Sequence, residues 1–303
     1  MLVFNSMDDA LASTVKTLLA EGTRTAPRQR STVELLGYAF RLTNPRARII
    51  CTPSRKWSFS FAVGELCWHL SGHNDLDIIA YYSKKWLNYS RDGQTIASSC
   101  YGNKIFSSSA STTSQWNCLK ELITIDVDTR RAVINLLPQI NISSIEDPDI
   151  SCIASIQFLL RGNKLNCITT MRSNDVILGM CYDVFFVTML QEMLSVELGV
   201  ELGWYQHSVG SMHLYDENKE MALAIAKEPG TLDSPPMIKM TETSSIERFL
   251  QIETMLRTGD RQAILKIKQL PTYWAQLAKP LEAKASRVHQ WESPSPCPPS
   301  IPT

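Results

Sequence analysis

The sequence predicts an α+β fold, a large mixed β-sheet with helices packed against it, and three observations carry that prediction. Residues 151 to 161, "SCIASIQFLLR", and 164 to 173, "KLNCITTMRS", are apolar runs rich in β-branched side chains, joined by Gly162-Asn163 as a hairpin signal. Residues 203 to 215, "GWYQHSVGSMHLY", read as another strand. Residues 183 to 198, "DVFFVTMLQEMLSVEL", are apolar around most of a helical circumference, as a buried helix should be.

The remaining elements follow in order. Residues 8 to 20 carry helical periodicity after an acidic start. A basic, turn-prone segment, "GTRTAPRQRST" (22 to 32), precedes a strand, "VELLGYAFRL". Residues 59 to 71, "FSFAVGELCWHLS", form a buried helix in which Glu65 is the odd residue out. Residues 90 to 103 are loop-like, and 131 to 137, "RAVINLL", form a short strand after Arg130-Arg131. After about residue 235 the pattern weakens, with helical segments near 245 to 257 and 260 to 269. One domain is expected over 1 to 290, divergent from about 235, followed by a disordered Pro/Ser-rich tail over 291 to 303.

Bulk properties narrow the function. With 303 residues, 44% of them hydrophobic, the chain can bury a large core. A formal charge of +0 gives no support to a general polyanion-binding surface, so nucleic acid is not an expected partner and any phosphate site is local. The 8 cysteines lack CxxC pairs or metal-ligand spacing with the 5 histidines, so no metal site is expected. Without a signal peptide or an apolar run of about 18 residues, a cytoplasmic protein with reduced thiols and no membrane span is expected.

Cys152 sits inside an apolar run, where a free cysteine ordinarily just packs. Its companions argue otherwise. Arginine donates in pairs to phosphate oxygens and stays charged. Arg28, Arg30, Arg130, Arg131 and Arg172 lie away from acidic runs, and Arg172 leads into the polar cluster Ser173, Asn174 and Asp175.

The ordered series "GELCWHLSG", "CYGNKIF", "DTRRAVI", "CIASIQF", "MRSNDVILGMCYD" and "GSMHLY" resembles the thymidylate synthase superfamily over about residues 20 to 220. That resemblance implies a homodimer formed through the sheet, with shared active sites, acting on a pyrimidine nucleoside monophosphate with 5,10-methylenetetrahydrofolate. It makes Cys152 the nucleophile, with Glu65 and Tyr101 handling the C5 proton. Arg172 and Ser173 would hold phosphate with Arg28 or Arg30, and Arg130 and Arg131 would reach across from the other subunit. The N-terminal loop leaves the choice between Arg28 and Arg30 open. His213 and Tyr215 would contact the sugar, Gln157 and Asp183 the base side of the nucleotide, and Asp175 and Trp86 the folate. Thiolate addition at C6 makes C5 nucleophilic, splitting one hard step into two easier ones.

Three departures from the methylating members matter. Ile153 follows the nucleophile in place of histidine, Ser211 stands in the closing Gly-Ser-x-His, and Asp183 replaces the asparagine that reads uracil. An amide offers one donor and one acceptor, matching the O4 acceptor and N3–H donor of uracil. Cytosine reverses both, and a carboxyl group can accept from its N4 amino group. Unpaired polar groups around the wrong base can reject it by roughly 10⁴ to 10⁵. Asp183 also begins an apolar helix and is expected to cap it, but asparagine caps equally well. The trio resembles the deoxycytidylate and cytidylate 5-hydroxymethylase branch, in which water rather than hydride completes the reaction. Methylation or hydroxymethylation of dUMP and a non-catalytic nucleotide-binding homologue are the alternatives. Ribose and deoxyribose are not distinguished.

Overall fold

The computed structural model describes residues 1–108, 112–138, 147–228 and 235–291. Strand β1 (Leu2–Phe4) leads into α1 (Met7–Glu21), whose N-cap Ser6 accepts the Asp9 N–H. The basic segment becomes β2 (Thr23–Thr25) and a tight turn before β3 (Thr32–Leu42). Helix α2 (Phe59–Ser71) starts where the Ser58 hydroxyl accepts the Phe61 N–H. It stops at Gly72, whose φ of 71° suits a residue without Cβ. Next come α3 (Leu76–Tyr82), α4 (Tyr101–Phe106), α5 (Gln115–Ile125) and β4 (Val133–Asn135). The loop expected over 90 to 103 thus gives way to helix at Tyr101, and the strand expected over 131 to 137 is shorter.

Strands β5 (Ile153–Arg161) and β6 (Lys164–Asp175) flank the predicted turn, where Gly162 and Asn163 both take positive φ, 55° and 61°. Helix α6 (Met180–Glu197), β7 (Glu201–Tyr215) and α7 (Lys219–Lys227) follow. Among the described residues seven strands form one sheet in the order β1-β3-β7-β6-β5-β4, with β2 on β3. The β1–β3 and β6–β7 pairs are parallel and the other pairs antiparallel, so the sheet is mixed as predicted.

Helix α6 is buried along nearly its whole length and is tied to the sheet by Gln191, whose amide donates to the Leu165 and Trp204 carbonyls at 2.9 and 3.0 Å. One expectation fails here. Asp183 does not cap α6: the N-cap is Gly179, and Asp183 lies one turn inside. The turn ahead of the helix is instead closed by Asp175, whose Oδ1 accepts the Ile177 and Leu178 N–H groups at 2.7 and 2.6 Å.

The chain divides into two compact units, Met1–Thr243 and Ser244–Thr303. The second contains α8 (Ile246–Thr258), α9 (Gln262–Ile267) and α10 (Thr272–Val288), packed around Phe249, Leu256, Trp274 and Leu281. Helix α10 carries no sequence expectation. The tail from residue 292 lies outside the described residues. No described helix is long and apolar enough to cross a membrane.

Candidate active site

Cys152 is the residue before β5, partly exposed, with the end of β6 beside it. The Arg172 N–H donates to the Cys152 carbonyl at 2.9 Å. The Arg172 guanidinium donates to the carbonyls of Ser151 (2.9 Å) and Ile150 (2.8 Å) and to the Ser173 hydroxyl (2.9 Å), and its Nη2 lies 3.6 Å from Cys152 Sγ. Ser173 Oγ is 3.9 Å from the same sulfur. Arg172 therefore braces the segment that presents the thiol and puts positive charge beside it. Burial raises the thiol's pKa, and the guanidinium offsets part of that rise.

Two carboxyl groups and a phenol share this electrostatic environment. Burial, then the negative charge of Asp183, holds the Glu65 carboxyl well above its ordinary range. Burial likewise raises Asp183 to about 7, with the Asn174 amide, donating to Oδ2 at 2.8 Å, pulling the other way. Tyr101, 6% exposed, is raised by burial and by Asp183, Cys152 and Glu65, so its phenol keeps its proton at neutral pH. Negative charge on Asp183 disfavours ionisation of Glu65. Buried ionisable groups shifted in this way beside a thiol are the pattern that marks a candidate active site.

Tyr101 is positioned by unusually close backbone packing. A Cβ on Gly102 would fall 1.6 Å from the His69 carbonyl oxygen, so only glycine lets α4 lie on α2 here. The His69 ring, kept neutral by burial with a pKa lowered to about 3, lies 5.2 Å from that of Tyr101. Asp149, buried, accepts the Ser98 N–H at 2.6 Å and the Ser99 N–H at 3.0 Å. It clamps the approach to α4 onto the approach to Cys152. The sequence reading missed Asp149, because its partners are backbone groups about fifty residues away.

The arginine end looks different. Arg30 stacks on Tyr215, 3.7 Å from the ring centroid, and pairs with Glu217 at 2.7 Å. Arg28 is exposed and has left-handed backbone, φ 50° and ψ 39°, as does Gln29 at φ 62°. Two successive non-glycine residues in that region are strained, a feature that clusters at ligand sites. Arg130 and Arg131 are exposed ahead of β4. Gln157 donates to the Arg130 carbonyl at 2.9 Å, so its amide holds the arginine segment. His213 opposes Asp175 across the β6–β7 pair, and its ring lies 5.0 Å from that of Tyr215. Trp86 packs edge-on to Trp68 at 5.4 Å, beside the cluster of Leu76, Ile79 and Ile96. No group of acidic, histidine or cysteine side chains suited to a metal occurs among the described residues.

A family model described as thymidylate synthase matches residues 10–261. The chain belongs to the thymidylate synthase family. It is similar to the deoxyuridylate hydroxymethyltransferase of Bacillus phage SP01, 30% identical over 216 residues, a match covering 66% of this chain and 55% of that protein. It is also similar to the thymidylate synthase of Francisella philomiragia, 23% identical over 227 residues, covering 71% of this chain and 82% of the relative. The chain thus spans little more than half the length of the phage relative. The motif series that predicted a thymidylate synthase-like fold is matched by family membership and by the mixed sheet.

Two more residues that sequence reasoning passed over belong to this site. Asn174 was part of a polar cluster without a role, and His207 had no partner spacing. In the structure Asn174 Oδ1 lies 2.9 Å from His207 Nε2, behind Asp183. The alternation of β7, with Tyr205, His207 and Val209 buried, was the available signal.

Proposed function

We propose that this protein transfers a one-carbon unit to C5 of a cytosine nucleoside monophosphate and releases the 5-hydroxymethyl product. The observation that carries the reading is Asp183: a carboxyl group, poised near neutrality, in the electrostatic neighbourhood of Cys152, Glu65 and Tyr101. An ionised Asp183 oxygen accepts from the N4 amino group of cytosine, and a protonated one donates to N3. At the position of the N4 amino group uracil carries the O4 acceptor, with which an ionised oxygen has no hydrogen to share, so selection rests on the ionised form facing that position.

Family membership brings 5,10-methylenetetrahydrofolate as cofactor, and one feature of this chain fits it. Asp175 Oδ2 is buried without a hydrogen-bond partner among the described residues, an acceptor suited to pterin N–H groups, while Oδ1 is occupied by the turn. Asp175 would hold the pterin and Trp86 would wall the folate. When bound, the folate supplies the one-carbon unit.

The chain's own residues prepare the nucleotide. Cys152 Sγ adds to C6, and the C5–C6 electron pair makes C5 nucleophilic. Arg172 favours the thiolate that this step requires. The proton later lost from C5 passes through Tyr101 or through water held by Glu65, both of which lie in the electrostatic neighbourhood of Asp183. Arg172 and Ser173 grip phosphate with Arg28; Arg30 is already engaged by Tyr215 and Glu217. His213 and Tyr215 contact the sugar. Arg130 and Arg131 complete the partner's site in a homodimer, and their exposure in the single chain fits that role.

The name of the phage relative favours a second reading, hydroxymethylation of a uracil nucleotide. Incubation with dUMP, dCMP and CMP in turn, with methylenetetrahydrofolate and mass analysis, separates the two. The expected result is a 5-hydroxymethylcytosine nucleotide with no dihydrofolate absorbance. Turnover of dUMP alone would replace this reading with the second.

A further inference from the structure

Behind the base-reading carboxyl lies a line of buried polar groups. Tyr205 Oη is 2.8 Å from His207 Nδ1, His207 Nε2 is 2.9 Å from Asn174 Oδ1, and Asn174 Nδ2 is 2.8 Å from Asp183 Oδ2. Tyr205 and His207 are 0% exposed and Asn174 is 2% exposed. Gly179 leaves room for the last link: a Cβ there would lie 3.0 Å from Asn174 Nδ2 and 3.1 Å from Asp183 Oδ2.

We propose that Tyr205, His207 and Asn174 form a positioning relay that presents an N–H, not a carbonyl oxygen, to Asp183, and so sets which base edge Asp183 can read. The inference rests on the proposed role of Asp183 and adds the residues that orient it.

The direction of the relay is set at its Asp183 end, because the Tyr205 phenol has Thr169 as well as His207 beside it and can either donate or accept. Burial lowers His207 to about 3 and raises Tyr205 well above its ordinary value, so a neutral imidazole with one N–H meets a protonated phenol. The phenol donates to Nδ1, the proton sits on Nε2 and is donated to Asn174 Oδ1, and the Asn174 amide must then turn its NH₂ toward Asp183. With the other tautomer, the Asn174 amide would turn over and aim its carbonyl at Asp183, setting two acceptors face to face unless that oxygen held a proton. In the favoured direction Oδ2 is committed as an acceptor, and Oδ1 is left for the base. An ionised Oδ1 accepts from N4 of cytosine, whereas uracil O4 in the same place would be acceptor against acceptor; a protonated Oδ1 would donate to O4, so the relay favours cytosine by holding Asp183 in its ionised, accepting form. Facing Asp183 are Glu65 of α2, Tyr101 of α4, Cys152 ahead of β5 and Asn174 of β6; facing His207 are Phe40, Tyr205 and Asn174.

The test is spectroscopic and needs no nucleotide. Nitrogen-15 shifts of His207 in the full chain should show the Nε2–H tautomer, without titration, over about pH 5 to 8. Carbon-13 titration of the Asp183 carboxyl should give a midpoint about one pH unit higher in His207→Phe, where Asn174 is no longer held as a donor. The ratio of kcat/KM for cytosine over uracil nucleotide should fall about tenfold in the same variant. If His207→Phe does not fold, Tyr205→Phe should shift the midpoint in the same direction by less. An Nδ1–H tautomer, or an unmoved midpoint in the folded variant, would overturn the relay. The predicted tautomer and midpoint shift in an enzyme that turns over only uracil nucleotide would keep the relay's polarity, overturn its role in cytosine selection, and overturn the cytosine reading.

Discussion

The two ends of the candidate site are built on opposite plans. At the base end, Asp183, Asn174, His207 and Tyr205 satisfy one another inside the core, and their chemistry is set before any ligand arrives. At the phosphate end, Arg28, Arg130 and Arg131 are exposed, and only Arg172 is anchored by several bonds to its own chain. Discriminating between neutral groups that differ by one donor and one acceptor, the role proposed for the base end, requires fixed, desolvated partners. For a dianion, the ligand proposed for the phosphate end, flexible guanidinium groups suffice, and full burial would cost several kcal/mol per ion. Rigidity is placed where selectivity is needed.

That contrast can be broken in several ways, and the largest effect belongs to the residue between the two ends. Cys152→Ala should reduce tritium release from C5-labelled nucleotide to background while thermal unfolding stays cooperative; release at the parental rate would assign the nucleophile elsewhere. The phosphate end is probed by mixing. Cys152→Ala and Arg131→Ala chains, each inactive alone, should regain activity when subunits exchange, since one heterodimer site keeps both residues. Verified exchange without recovery would confine Arg131 to its own chain.

Stability effects are smaller. Gly102→Ala drives a Cβ into the His69 carbonyl and should cost about 3 kcal/mol in denaturant unfolding, with Tyr101 displaced. Asp183→Asn tests the buried network itself. A carboxyl whose folded pKa is raised binds its proton more tightly when folded. The stability it contributes is present below the unfolded value and lost as pH rises through about 7. Asp183→Asn should therefore be nearly neutral below about pH 4 and increasingly stabilising as pH rises to about 8, by about 1.4 kcal/mol for each pH unit between the unfolded and folded values. A pH-independent difference would contradict the raised pKa.

Much of the fold could be read from the chain because the relevant signals are local. Ser58 and Gly72 mark both ends of α2, Gly162-Asn163 marks the β5–β6 hairpin, and the apolar circumference of α6 reports its burial. Helix α10 went unread because it carries Pro280, a residue that normally argues against a helix interior. Cys152, the proposed nucleophile, and Arg172 stood out through their motif, and the structure places their side chains 3.6 Å apart. The Asp183 cap was misassigned by one turn because residues 176 to 178 form a turn closed by Asp175, which spacing alone does not reveal. Asp149 and the Asn174–His207 contact join residues distant in sequence, and only folded geometry brings them together.

The central claim is that Asp183, oriented from behind, chooses the base. It is tested most directly by kcat/KM for dCMP, CMP and dUMP, measured side by side in the parent protein and in Asp183→Asn. The account predicts that the parent prefers a cytosine nucleotide. The substitution should shift the ratio toward dUMP by at least tenfold, a change of only about 1.4 kcal/mol in transition-state binding. A parent protein that turns over dUMP in preference to both cytosine nucleotides, with a ratio unmoved by Asp183→Asn, would contradict it.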